Sequence, residues 1–173
     1  MKKITIVVAI IIMILVLNKQ ETVTIPKEAI RFRVIANSNT KADQDLKKKI
    51  VSNLQENITT LEYSPKNIEQ SRQNIKASIP SFNKVVERTL QAENSNLTYN
   101  INYGMNYFPK KSYHGITYEA GEYESLVITL GNGLGENFWC ILFPPLCLLE
   151  QTEEDIEDVE YTSFVKEMLD KYF

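Results

Sequence analysis

Few residues in this chain have the type and spacing to do chemistry. Cys140 and Cys147 stand seven residues apart around Phe143-Pro144-Pro145, and the single histidine, His114, lies upstream of both. A thiol nucleophile would need one of these cysteines, His114 as base, and a third group to orient the imidazole. Nothing in the spacing argues for that pairing. One histidine and two cysteines also fall short of a four-ligand zinc site, and His-Glu-x-x-His does not occur. Carboxylates such as Asp43, Asp45, Glu119, Glu122 and Glu124 are plentiful, but paired acid–base work depends on separations in space, and their scatter reads as solvated. Gly131-x-Gly133-x-Gly135 lacks the Gly-x-Gly-x-x-Gly spacing, and Phe138-Trp139-Cys140 follows where a phosphate site needs a helix N-terminus. It reads as a tight turn. The expectation is no catalytic residue, no metal, no cofactor and no small-molecule substrate.

A disulfide suits the two cysteines better. A bend at Pro144-Pro145 would bring their Cα atoms into the ~4.4–6.8 Å window such a bond needs. The other reading is a pair of buried thiols acting as small hydrophobes. What favours the bond is the N-terminus. Met1-Lys2-Lys3 precedes an unbroken apolar run from Ile4 to Leu17, the basic and apolar regions of an export signal, and exported chains meet an oxidising compartment. No Ala-x-Ala cleavage pattern follows Leu17. At about 1.5 Å per residue the run spans only ~21 Å of a ~30 Å hydrocarbon core, although Lys3 and Lys19 can snorkel to the interfaces. Residues 1–20 are thus read as an export signal or a short membrane anchor, with Thr22 onward outside the cytoplasm.

The rest divides into a domain at 28–150 and an acidic helix at 151–173, part of the same unit. A chain of 173 residues, 43% hydrophobic, can bury one core. A net charge of −3 gives no reason to expect nucleic acid.

The elements that position any site follow from periodicity. Ala29-Ile30-Arg31-Phe32-Arg33-Val34-Ile35-Ala36 alternates apolar with basic residues before a continuous apolar run and predicts a strand. Thr40-Lys41-Ala42-Asp43 has capping-box spacing and predicts a helix whose stripe is Leu46, Ile50, Leu54, Ile58 and Leu61. A second helical region is expected from Ser64-Pro65, with Pro80 breaking or kinking it between Ser78 and Ser81. Leu97 to Tyr103 alternates as a half-buried strand. Gly104 to Tyr118 reads as a long aromatic connection. Tyr123 to Leu130 and Phe138 to Phe143 read as a hairpin closed by the glycine turn, and a helix is expected from about Glu153. The architecture predicted is α+β: a mainly antiparallel sheet of about four strands, two helical regions packed across one face, and a peripheral C-terminal helix.

If the domain acts by docking, exposed aromatics are the natural anchors. Tyr107, Phe108 and Tyr113 in the 104–118 connection, together with Trp139, are the candidates.

Several segments carry a family resemblance: Ile35-Ala36-Asn37-Ser38-Asn39, Asp43-Gln44-Asp45-Leu46-Lys47, Gly121-Glu122-Tyr123, and the run Phe138-Trp139-Cys140 through Leu142-Phe143-Pro144-Pro145-Leu146-Cys147. With the export segment before them, they resemble the stage II sporulation protein R family of endospore-forming Gram-positive bacteria, over roughly Ile30 to Cys147. The resemblance implies a protein made in the forespore and exported into the intermembrane space. There it would trigger a membrane-embedded protease of the mother cell to process the precursor of sigma factor E. It carries over no catalytic residues. An envelope hydrolase and a structural protein of the spore envelope are the competing readings.

Overall fold

The computed structural model describes residues 23–63, 65–113, 116–147 and 158–173. The apolar run from Ile4 to Leu17 lies outside them, as does the expected helix start near Glu153. In chain order the elements are β1 (Val23–Thr24), β2 (Ile30–Ile35), α1 (Lys41–Asn53), α2 (Gln55–Glu62), α3 (Ile68–Ala92) and β3 (Tyr99–Phe108). β4 (Lys111–Tyr113), β5 (Ile116–Tyr118), β6 (Gly121–Leu130), β7 (Asn137–Phe143) and α4 (Asp158–Tyr172) complete them.

The helices form where capping and periodicity agree. The Thr40 side chain accepts the Asp43 N–H at the start of α1, satisfying one of the amides a helix start leaves free. Leu46, Ile50, Leu54, Ile58 and Leu61 are all buried, so α1 and α2 share one apolar stripe across a one-residue junction at Leu54. α3 starts later than the sequence suggests: Asn67, not Ser64, is its N-cap, accepting from Gln70 N at 2.9 Å. Pro80 does not break it. Both Pro80 and Lys76, whose carbonyl the missing N–H would have bonded, face water, while Ile75, Phe82 and Val86 on either side are fully buried. Packing on both flanks outweighs one lost backbone bond.

The main sheet has the order β3-β6-β2-β7. It is mixed rather than mainly antiparallel: β2 runs parallel to β6 and antiparallel to β7, while β3 and β6 are antiparallel. β6 and β7 therefore do not form a hairpin, because β2 lies between them. The glycine-rich turn instead crosses the end of β2 and hooks onto the loop that follows it. Leu134 N donates to Asn37 O, Gly135 N to Ala36 O, Asn132 N to Asn37 Oδ1 and Glu136 N to Asn39 Oδ1. Gly135 is needed there because a Cβ would run into the Ser38 carbonyl.

Helices α1 to α3 cover one face of this sheet, packing on Ile30, Phe32, Val34, Leu126, Ile128, Leu130, Cys140 and Leu142. A second, three-stranded sheet, β1-β5-β4, occupies much of what reads as a loop from sequence. Its Val23, Ile25, Ile116 and Tyr118 cluster with Ile141 and Leu146 on the opposite side. α4 is docked rather than peripheral: Val165 is buried in that second cluster, and Tyr172 meets Phe143 edge-on at 5.1 Å.

Candidate partner-docking face

Strand alternation fixes the site. With Ile30, Phe32 and Val34 turned to the helices, Arg31 and Arg33 must project from the other face of the sheet. Arg31 is 1% exposed. Its guanidinium stacks 3.4 Å from the centroid of Tyr123, with Phe108 at 5.1 Å and Tyr118 at 5.7 Å. Among the described residues its Nε, Nη1 and Nη2 atoms meet no acceptor at hydrogen-bond geometry, so the negative faces of the rings are what offsets burial of the cation. Desolvation pulls its pKa below the ordinary arginine value, against the opposing influence of Tyr123 and Tyr118.

Arg33 is half-buried and reaches across the sheet. Its Cζ lies 4.6 Å from the Phe108 centroid, and Nη1 donates to Tyr107 O at 3.4 Å. Burial lowers its pKa as well, and Nε has no partner. Trp139, opposite Arg33 on β7, packs edge-on against Phe108 at 5.2 Å, and the Lys111 ammonium sits 5.4 Å over its ring. With the Asn137 amide nitrogen facing Gly135 O, its oxygen accepts from Trp139 Nε1 at 3.2 Å, which fixes the indole. The floor beside these residues is small and polar. Gly104 pairs with Ser125, and Asn106 donates to Ser125 Oγ and accepts from Asn102.

The sequence-derived anchors separate on this scaffold. Tyr107 is 58% exposed, but as a neighbour of Phe108 in a strand it faces the helix side, beside exposed Met105. Phe108 is 0% exposed, so it supports the cations instead of offering a surface contact. Trp139 is half-buried on the same face as Arg33. Tyr113 belongs to β4, and its side chain lies outside the described residues. The arginines were visible only as the polar half of an alternating strand. That pattern fits solvated charges equally well, and only the strand order reveals that Tyr123 and Phe108 flank them.

The reactive groups have structural partners. Cys140 and Cys147 form a disulfide with Cα atoms 4.9 Å apart, both buried. Its far end is held by buried Glu62, whose Oε1 accepts the Cys147 N–H at 2.6 Å. Glu124 takes two bonds from Arg72 Nε, at 3.1 and 3.0 Å, and one from the Tyr103 hydroxyl at 2.5 Å, tying α3 to the sheet. Burial raises the Glu124 pKa, but the bonds from Arg72 and Tyr103 outweigh it and hold the carboxyl below its ordinary value. Asp43 is held low by Ser38 and then Asn37, which closes the loop after β2. His114 lies outside the described residues. Among the described residues no group of three or more His, Cys, Asp or Glu is placed to hold a metal.

Residues 26–153 match the family model described as stage II sporulation protein R. Over 160 residues the chain is 37% identical to the stage II sporulation protein R of Bacillus subtilis (strain 168), an alignment spanning 82% of this chain and 71% of that protein. No solved structure matches.

Proposed function

The chain belongs to the stage II sporulation protein R family and its role lies in sporulation; from that premise we propose that it is an exported signal that switches on a membrane-embedded protease. In this reading it is made in the forespore and delivered to the intermembrane space. There it acts on the mother-cell protease that processes the precursor of sigma factor E. The segment from Ile4 to Leu17 directs export and serves as its contact with the membrane.

The observation that carries the reading is the family match, which spans β2 to β7 and helices α1 to α3 between residues 26 and 153. The geometry supports a binding protein over an enzyme. The two thiols are joined and buried, leaving no free nucleophile for a cysteine hydrolase. Aromatic and cationic groups converge on one sheet face, the composition that dominates protein–protein contacts.

The test is reconstitution. A non-sporulating cell is given the membrane protease and the sigma factor precursor, with or without this protein carrying its own N-terminus. Precursor cleavage that requires both proteins is the expected result. Absence of cleavage with both present and this protein exported overturns the reading.

A further inference from the structure

Two features of the Arg33 face have no explanation among the described residues. The first is charge. Among the described residues no carboxylate is bonded to Arg31 or Arg33, although the chain as a whole carries a net −3. Their nearest acidic neighbours along β6, Glu122 and Glu124, pair with Tyr107 and Met105 and so project to the opposite face. Two guanidiniums backed by a low-dielectric sheet concentrate a positive potential on the small area left open between them.

The second is Gly104. It sits in the middle of β3, where the β3–β6 register runs without a bulge from Tyr99 to Phe108. Its backbone does not need glycine's freedom, and a Cβ built on it meets nothing within 4 Å. A glycine inside a regular strand weakens it, and usually marks a bulge, a bend or the close approach of another backbone. Here the bulge and the internal clash are absent, so an approach from outside is what remains. The accessible backbone at that point is Gly104, over buried Ser125 and flanked by the Asn102 and Asn106 amides; Asn102 shares its cross-strand row with Val127, Arg33 and Trp139.

We propose that the accessible β3 edge of this sheet face receives an acidic segment of the partner protein, a carboxylate meeting the half-buried Arg33 guanidinium while the segment's backbone passes over Gly104. The inference rests on the proposed function and names the chemistry its partner presents. Arg31, locked beneath Phe108, keeps the field positive without touching the ligand. Trp139 lies in the same cross-strand row as Arg33, and exposed Asn102, whose nitrogen is held by Asn106, offers its amide oxygen to the passing backbone.

Two experiments on the full chain test it. In the reconstituted cell, Arg33→Glu and Gly104→Val each lower precursor cleavage at least about tenfold, whereas Arg33→Lys keeps most of it. The Gly104→Val thermal midpoint stays the same or rises, because the added side chain has space in its own molecule. Cleavage within about twofold of the unaltered protein for Arg33→Glu overturns the proposal. If the unaltered protein triggers no cleavage at all, the signalling reading fails instead, and the second experiment decides the inference alone. Trp139 is the single tryptophan, so its emission reports on this face directly. A hexaglutamate peptide shifts that emission saturably and less so at high salt, hexaglutamine does not, and Arg33→Glu abolishes the response. No saturable shift, or one that survives Arg33→Glu, overturns the carboxylate site.

Discussion

Removing the cross-link between Cys140 and Cys147 separates two contributions to stability that the structure places at one spot. The bond closes a loop of sequence separation 7, for which the chain-entropy relation gives about 2.5 kcal/mol at room temperature. Both cysteines are also buried, at 2% and 0% exposure, so replacing them with alanine removes apolar contacts worth a further 1–2 kcal/mol, roughly, for the pair. The Glu62 bond to Cys147 N–H does not depend on the cross-link, and it keeps the turn in place when the bond is opened. Urea unfolding of the oxidised protein, the reduced protein and the Cys140→Ala/Cys147→Ala variant should rank in that order. The reduced form should lie about 2.5 kcal/mol below the oxidised one, and the alanine pair lower still. In a thermal scan the first step corresponds to about 5–10 °C for a chain of this size. Reduced and oxidised forms agreeing within about 0.5 kcal/mol would refute the loop-closure account.

Pro80→Ala should restore the bond to the Lys76 carbonyl in an already continuous α3 and raise stability by about 2 kcal/mol, read as a higher urea midpoint; a lower midpoint would show that the proline fits its site better than its geometry implies. Arg31→Met loses no ion pair and should stay within about 1 kcal/mol of the parent, whereas Arg31→Lys forfeits the flat stack on Tyr123 and should cost roughly 1–3 kcal/mol. The reverse order in a denaturation series would contradict the cation–aromatic account. Asp43 and Glu124 both have folded-state pKa values below their unfolded ones. Their stabilisation is therefore present above about pH 4 and disappears as pH falls through the folded values. Stability should be nearly flat from neutral pH to about 5 and then decline. Asp43→Asn should be weaker at neutral pH with a shallower acid decline; an acid slope equal to the parent's would exclude Asp43 as a contributor.

Local order was legible in the sequence wherever one residue's neighbours determine its state. The Thr40 cap, the stripe from Leu46 to Leu61 and the alternation in β2 all depend on short-range periodicity, and all appear in the structure. Pairing across distance was not legible. The turn from Gly131 to Gly135 looks like a hairpin closure because consecutive strands usually pair, yet its amides are used by Asn37 and Asn39, which lie far upstream. Pro80 was misjudged for a related reason: the local penalty is real, but burial of Ile75, Phe82 and Val86 is a tertiary effect. At the site, Tyr107 and Phe108 look equivalent as aromatics in a row. The sheet sends their side chains to opposite faces, and only the Phe108 ring packs on Arg31 and Arg33.

The placement of β2 has a kinetic meaning. Phe32 needs Leu126 on one side and Cys140 on the other, so this interior strand of the sheet is synthesised early and completed last. Until β6 and β7 have left the ribosome, neither side of β2 has its partner, and helices α1 to α3 have only an unpaired ribbon to rest on. Such wiring postpones collapse to the final stage of translation. Under the export proposed above, that delay keeps the chain threadable, and the finished sheet can assemble on the far side.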